Sequence, residues 1–378
     1  MSRTVLFAGG GTAGHVFPAI AVAHELRRLA PDVEPVFVGV ADRLEAHLVP
    51  DAGFRLHHVA AAAVPRRLSP KLLKLPGALR AGVRQCVEIA EQESARAAVT
   101  FGGYVSFPLD RAAWKLQLPL VIHEQNSIPG LTNRLAARWS DRVAVSFPGS
   151  AERFRRSERC AITGNPVRED VLRLDRDAQR CGARERFGLD PDVPTLLVFG
   201  GSQGARTLNE AIVGAHGRWG DTKLQVLHAA GRNGYPSATV GWERARAAGP
   251  GPKVKLLDFI DRMDDAYAAA DVVMCRAGAT SIAELAVLGL PSVLVPYPHA
   301  TADHQTENAA ALERAGGAIA IADADLDADA LVTAVRPLFE DAERYRTMAR
   351  SARAFGRPDA ATNVARLVLE LLDEESHP

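Results

Sequence analysis

Cysteine, net charge and long apolar runs are all scarce in this sequence. Its 378 residues include only four cysteines (Cys86, Cys160, Cys181 and Cys275), widely spaced and with no Cys-x-x-Cys pair. That excludes a disulfide scaffold, argues against a structural zinc site and fits a reducing compartment. Lys+Arg and Asp+Glu number 45 each. A chain without net charge has no global field to draw it onto nucleic acid, so no nucleic-acid partner is expected. One stretch lacks formal charge, the twenty residues from Val5 to His24. It contains Gly9, Gly10, Gly11, Gly14, His15 and Pro18, which a lipid-exposed helix would carry poorly, so it reads as strand, glycine loop and helix rather than a membrane span. The chain enters an apolar strand directly after Met-Ser-Arg, and no signal peptide is expected.

What is present is globular. Apolar residues make up 47% and charged residues 24%, which excludes disorder and coiled coil as the main description. At roughly 150 residues per domain the length predicts two to three domains. Short β-branched runs alternate with stretches of helical period: Thr4–Ala8, Pro35–Val40, Ala97–Gly102, Pro119–His123, Arg142–Phe147 and Cys160–Gly164. The rhythm restarts at Thr195–Gly200, Leu224–Ala229, Val254–Phe259, Asp271–Cys275, Pro291–Pro296 and Ala318–Ala322. Most of these runs are continuously apolar, the pattern of parallel strands covered by helices on both faces, and the class is α/β. The break falls in the charged stretch between Asn165 and Pro194, and both halves open on a strand running into glycines. Two Rossmann-like domains are expected, 1–165 and 166–357, with parallel sheets facing across a cleft. The amphipathic helix at about 358–374 is placed to pack back on the first.

Gly9-x-Gly11-x-x-Gly14 matches the dinucleotide fingerprint between a strand and a helix, where glycines let the backbone approach an anion at a helix N-terminus. With Asp42 after the second strand as a ribose acid, an NAD-dependent dehydrogenase is one reading. Gly200-Gly-Ser-Gln-Gly204 follows the same logic, with Ser202 able to reach a phosphate. No lysine stands at the P-loop position, which disfavours a nucleoside triphosphatase. His15, in the first turn of the helix, is either an exposed capping-region residue or a general base kept neutral by the helix N-terminus. Further polar clusters end strands, where open α/β sheets bind ligands: Gly102-Gly-Tyr104, His123-Glu-Gln-Asn126, Arg276 to Ser281 leading to Glu284, and Pro296 to Asn308.

Several blocks together resemble the MurG family. They are Gly9-Gly-Gly-Thr-Ala-Gly-His-Val-Phe-Pro18, Gly102-Gly-Tyr-Val-Ser106, His123-Glu-Gln-Asn126 with Pro129-Gly-Leu-Thr-Asn133, Gly164-Asn-Pro-Val-Arg168, Gly200-Gly-Ser-Gln-Gly-Ala-Arg206, and Arg276 through Glu284. They run in order from about Val5 to Asn308. The resemblance implies a GT-B fold and inverting transfer of N-acetylglucosamine from UDP-GlcNAc to undecaprenyl-pyrophosphoryl-MurNAc-pentapeptide, lipid I, giving lipid II for peptidoglycan. It implies no cofactor and no metal. The Asp-x-Asp triplets at Asp175, Asp190 and Asp325 lie in charged or Pro-bounded stretches and read as surface. Carried over residue by residue, His15 is the base for the acceptor C4 hydroxyl, with Tyr104 and Glu124 as acceptor-side or catalytic candidates. Thr12, Ala13 and Gly14 line the sugar and phosphate side; Ser202 and Arg168 meet the diphosphate; the Ile260 backbone faces uracil; and Glu284 accepts the ribose hydroxyls. Ala279, Thr280, Ser281, Ile282, Ala283, Asn126 and Gln305 frame the diphosphate and sugar. Ala13 departs from the family, which usually has glycine there.

The lipid acceptor implies a peripheral enzyme on the cytoplasmic face of the bacterial inner membrane, with cell-wall synthesis and division proteins as partners. No acid lies between Asp51 and Glu88, whereas Arg55, Arg66, Arg67, Lys71, Lys74, Arg80 and Arg84 do, interleaved with Leu68, Leu72, Leu73, Leu75 and Leu79. That composition suits an anionic membrane surface, and equally a solvated helix with a buried face.

Overall fold

The computed structural model describes residues 3–61 and 71–374, the side chains of 71–75 excepted. Two compact units divide the chain, one formed by residues 1–168 with 357–378 and the other by 169–356. The first contains β1 (Arg3–Ala8), α1 (Ala13–Leu29), β2 (Val33–Gly39), α2 (Glu45–Asp51), β3 (Arg55–His58), α3 (Lys71–Gln92), β4 (Ala95–Thr100), α4 (Ser106–Leu116), β5 (Leu120–Glu124), α5 (Leu131–Ala136), β6 (Arg142–Val145) and β7 (Cys160–Ile162). Its seven strands run in the order β3-β2-β1-β4-β5-β6-β7, all parallel. The second contains α6 (Glu169–Leu172), α7 (Arg176–Arg186), β8 (Thr195–Phe199), α8 (Arg206–Gly214), β9 (Gln225–Ala229), α9 (Tyr235–Ala248), β10 (Lys253–Leu257), α10 (Met263–Ala269), β11 (Val272–Arg276), α11 (Ala279–Leu288), β12 (Ser292–Val295), α12 (His304–Arg314), β13 (Ala318–Ala320), α13 (Ala328–Glu340) and α14 (Ala342–Phe355). Its six strands are ordered β10-β9-β8-β11-β12-β13, again parallel. The chain ends in α15 (Ala360–Glu374), which belongs to the first unit.

The period of two along a strand explains why β1 is apolar at every position from Val5 to Ala8. Val5 and Phe7 pack into the layer formed by α1 and α15, with Val16, Val22, Leu26, Val364 and Val368. Leu6 and Ala8 point the other way, into the layer of α3 and α4 with Cys86, Ile89, Leu109 and Ala112. Each large side chain so buried contributes about 1.5–3 kcal/mol. Pro35 is tolerated inside the sheet because β3 pairs with β2 only from Val36 onward, so its missing N–H deprives no ladder on that side. In the second unit Leu196 and Val198 of β8 pack with Leu208, Ile212, Leu331 and Val335. The apolar stripe of α15 lies in the α1 layer, and Thr362 donates to the Glu25 carboxylate at 2.7 Å.

The sequence pattern missed β3. Arg-Leu-His-His is largely exposed and neither apolar nor alternating, and only pairing with β2 makes it a strand. The same strand brings an acid to the basic stretch. Glu93, remote in sequence, takes Arg55 at 2.9 Å and His57 at 2.8 Å. Arg84 lies 3.5 Å from Glu88. Arg66, Arg67 and Leu68 lie outside the described residues, as do the side chains of Lys71, Leu72, Leu73, Lys74 and Leu75. Among the described residues no helix is long and apolar enough to cross a membrane.

Candidate active site

In the first unit, β1 ends on Gly9-Gly10-Gly11, with Gly11 at φ +88°. Thr12 caps α1 in extended conformation, and its carbonyl receives the N–H groups of His15 and Val16. The Thr12 hydroxyl lies 3.0 Å from His15 Nδ1, which ties the half-buried imidazole to the loop. After β4, Gly102 and Gly103 both take φ +82°. A Cβ on Gly103 would lie 2.5 Å from the Gly10 carbonyl oxygen and 3.5 Å from His15 Nδ1, so the two glycine turns touch. The Tyr104 ring covers Gly11, where a Cβ would meet its Cε1 at 2.8 Å. Burial pushes the Tyr104 phenol above its usual range, with the Glu45 carboxylate adding to it. His15, Thr12, Gly14 and Tyr104 therefore do come together.

Glu45 carries the feature that sequence reading missed. Its carboxylate, 1% exposed, accepts Gly11 N–H at 3.2 Å and Val40 N–H at 3.4 Å. Asp42, the expected ribose acid of a dehydrogenase, is exposed. With Gly11 N–H given to a carboxylate, the dinucleotide reading of this loop loses one of its anion donors.

Glu124 is 1% exposed at the end of β5. It accepts the Asn126 and Gly130 backbone N–H groups at 2.9 and 3.0 Å and the Asn126 and Asn133 amides at 3.3 and 2.8 Å. Burial raises its pKa against the pull of those donors. Its oxygens fold the 124–133 turn, which sets Asn126 in place. His123 beneath is fully buried. Gln125 donates to its Nδ1 at 3.0 Å, and its Nε2–H donates to the Gly164 carbonyl at 3.0 Å. Burial pushes His123 down to about 4, against the Gly164 bond and with a smaller push from His15. Arg168, half-buried, lies over the Phe17 ring of α1 at 4.9 Å.

The second unit builds its loop differently. Ser202 is exposed, between Gly201 at φ +88° and Gly204 at φ +85°. A Cβ on Gly201 would meet nothing within 4 Å, whereas one on Gly204 would lie 2.1 Å from the Ala230 carbonyl oxygen. The turn after β9 presses on the loop, and Arg232 N–H donates to the Ser202 carbonyl at 3.1 Å. A buried chain supports it: Trp242 Nε1–H donates to His228 Nδ1 and His228 Nε2–H to Asn209 Oδ1, both at 3.0 Å. The Asn209 amide then holds the Ala230 carbonyl at 2.9 Å. Burial pushes His228 down to about 4, so it stays the neutral link this chain requires. The exposed Arg232 guanidinium lies over the Phe259 ring at 5.2 Å, next to buried Ile260. Arg232 was not legible as a site residue because its strand-end turn carries no motif.

Gly278 caps α11, whose first turn presents Ala279, Thr280 and Ser281, with Ile282 and Ala283 following. Glu284 is 4% exposed and accepts the Tyr267 hydroxyl at 2.8 Å. Gln305 receives Tyr297 N–H at 2.9 Å, which holds the strand-end turn. Arg276 bonds the carbonyls of Val295 and Pro296 and the Asp323 carboxylate, and so braces that turn. Among the described residues no group of three His, Cys, Asp or Glu is placed to hold a metal ion.

Two parallel-sheet units with glycine loops after their first strands define a Rossmann-like, nucleotide-handling α/β protein. Within that class, the chain belongs to glycosyltransferase family 28. The model of that family's N-terminal domain matches residues 5–145, and that of its C-terminal domain matches residues 195–364. A Nocardioides protein named UDP-N-acetylglucosamine–N-acetylmuramyl-(pentapeptide) pyrophosphoryl-undecaprenol N-acetylglucosamine transferase is 48% identical, covering 97% of this chain and 98% of its own. A Streptomyces coelicolor protein of the same name is 42% identical at the same coverage. The crystal structure of Acinetobacter baumannii MurG superposes with a TM-score of 0.76 at 28% identity, over 97% of this chain and 99% of its own.

Proposed function

We propose that this chain transfers N-acetylglucosamine from UDP-GlcNAc to the MurNAc C4 hydroxyl of undecaprenyl-pyrophosphoryl-MurNAc-pentapeptide, converting lipid I to lipid II with inversion at the sugar. The observation that carries it is the 48% identity to a transferase of that specificity over nearly all of both chains. The unit-by-unit chemistry supports it.

His15 is the base. For Nε2 to take the acceptor proton it must start unprotonated, so Nδ1–H donates to the Thr12 hydroxyl 3.0 Å away and sets the tautomer. Thr12, Ala13 and Gly14 line the sugar side. Tyr104 stays protonated in its half-buried position and serves as a hydrogen-bond donor to the acceptor, and the Glu124 knot positions Asn126. In the second unit the Ser202 loop and the N-terminus of α11 offer N–H groups to the diphosphate, and Arg232 adds a guanidinium beside the loop. Glu284, oriented by Tyr267, takes the ribose; Ile260 faces uracil; Gln305 frames the sugar; Arg168 adds charge. These groups meet the charge on departing UDP without a divalent ion.

Membrane contact falls on the first unit. Trp114 is 51% and Leu131 is 70% exposed. A groove of about 640 Å³ there is lined by Leu135, by Arg134, Arg138, Arg153, Arg155 and Arg156, and by Glu152, a rim of net positive charge for anionic lipid on the cytoplasmic face.

The test is transfer to a lipid I analogue in excess EDTA. His15→Ala should lower kcat by about 10²–10⁴-fold with the UDP-GlcNAc dissociation constant unchanged. Undiminished turnover would remove His15 from the mechanism, and dependence on a divalent ion would remove the metal-free reading.

A further inference from the structure

Glu45 sits where nothing in the reaction asks for an acid. Its neighbours from Ala41 to Leu44 are exposed, yet its side chain is 1% exposed. The carboxylate lies under the first glycine loop, and glycine makes the room for it. A Cβ on Gly10 would lie 2.7 Å from Oε1, and one on Gly39 would lie 2.9 Å from Cγ. Loops of this kind hold a phosphate because their N–H groups converge on it. Here Gly11 N–H is committed to Oε2 at 3.2 Å, and Val40 N–H, at the end of the neighbouring strand, to Oε1 at 3.4 Å.

We propose that Glu45 is the first loop's resident anion. It takes the place a phosphate would occupy, so nucleotide diphosphate is refused by this unit. By pinning Gly11 it also positions the next residue, Thr12, and through Thr12 the His15 imidazole. The exclusion stands on the hydrogen bonds alone. The positioning role rests on the reading of His15 as base.

Glu45→Ala vacates the place without touching substrate-facing groups. The variant should bind inorganic pyrophosphate with UDP already saturating, at one extra molecule per chain by calorimetry, where wild type binds none. Its kcat should fall about 10–100-fold with the KM for UDP-GlcNAc within twofold, and formate or acetate should restore kcat saturably where chloride of equal ionic strength does not. Rescue by a small carboxylate is a readout that a purely structural role would not give. Glu45→Gln, which keeps the volume, covers the case in which Glu45→Ala fails to fold: it should lose kcat and gain nothing from acetate. A folded Glu45→Ala that takes up neither pyrophosphate nor carboxylate overturns the proposal, as does a fully active Glu45→Gln. If pyrophosphate binds but carboxylates leave kcat unchanged, the exclusion holds and the link to His15 fails.

Discussion

The two glycine loops begin alike and end as different devices. Each follows the first strand of its unit, turns at a left-handed glycine and opens a helix. In the first, a buried carboxylate takes the Gly11 N–H from below and the Tyr104 ring covers the glycine. In the second, Ser202 and Gly201 are exposed, and the support beneath is a neutral chain from Trp242 through His228 to Asn209. A loop with a built-in anion is suited to fixing a histidine, and one backed by neutral groups is suited to receiving a diphosphate. The local motif sets the backbone shape, and the residue beneath it sets the chemistry.

The largest effect should come from breaking the second loop. Gly204→Ala puts a methyl 2.1 Å from a carbonyl oxygen at φ +85° and should weaken UDP by about 100-fold or more in a calorimetric titration. Gly201→Ala, with open space around it, meets only the left-handed backbone penalty of about 1 kcal/mol and should cost less than tenfold. Equal losses would mean that the contact with Ala230 is not what shapes the loop.

pH should separate the units next. His123 and His228, one in each, are held near 4 by burial, below the 6.5 of a free histidine. Each therefore contributes stability that is present above pH 6.5 and lost as pH falls through about 4, on the order of 3 kcal/mol. The first unit also holds a carboxyl that titrates in the opposite sense. Asp110, fully buried with Thr100 donating at 2.8 Å, is pushed up to about 8 by burial. Its contribution is present below about pH 4 and lost as pH rises through 8. Urea unfolding should show Asp110→Asn gaining on the order of 5 kcal/mol at pH 9 and nothing at pH 4. A gain that does not change with pH would contradict the titration.

The smallest effect should come from the family departure in the first loop. Ala13 is exposed at the first position of α1, so Ala13→Gly should change kcat by less than about twofold and stability by about 0.5–1 kcal/mol. A tenfold gain in kcat would mean that the methyl obstructs the acceptor.

Apolar runs ending on glycines made β1, β8 and both loops legible, because strands buried on both faces leave no polar position. The exposed edge strand β3 was not, since its structure comes from its neighbour. The polar run His123 to Asn126 stood out, yet composition could not say that the Glu124 oxygens are consumed by the turn that follows. Glu45 was illegible for a simpler reason: one acid in the polar stretch Ala-Asp-Arg-Leu-Glu looks like surface, and only the fold buries it.

The most direct test of the contrast is amide hydrogen exchange with and without UDP in excess EDTA, read on peptides covering residues 9–16 and 200–206. Protection confined to the 200–206 loop, with Gly11 unchanged, is the predicted result. Protection of the 9–16 peptide with 200–206 unaffected would contradict it, and would place the diphosphate on the loop that already holds its own carboxylate.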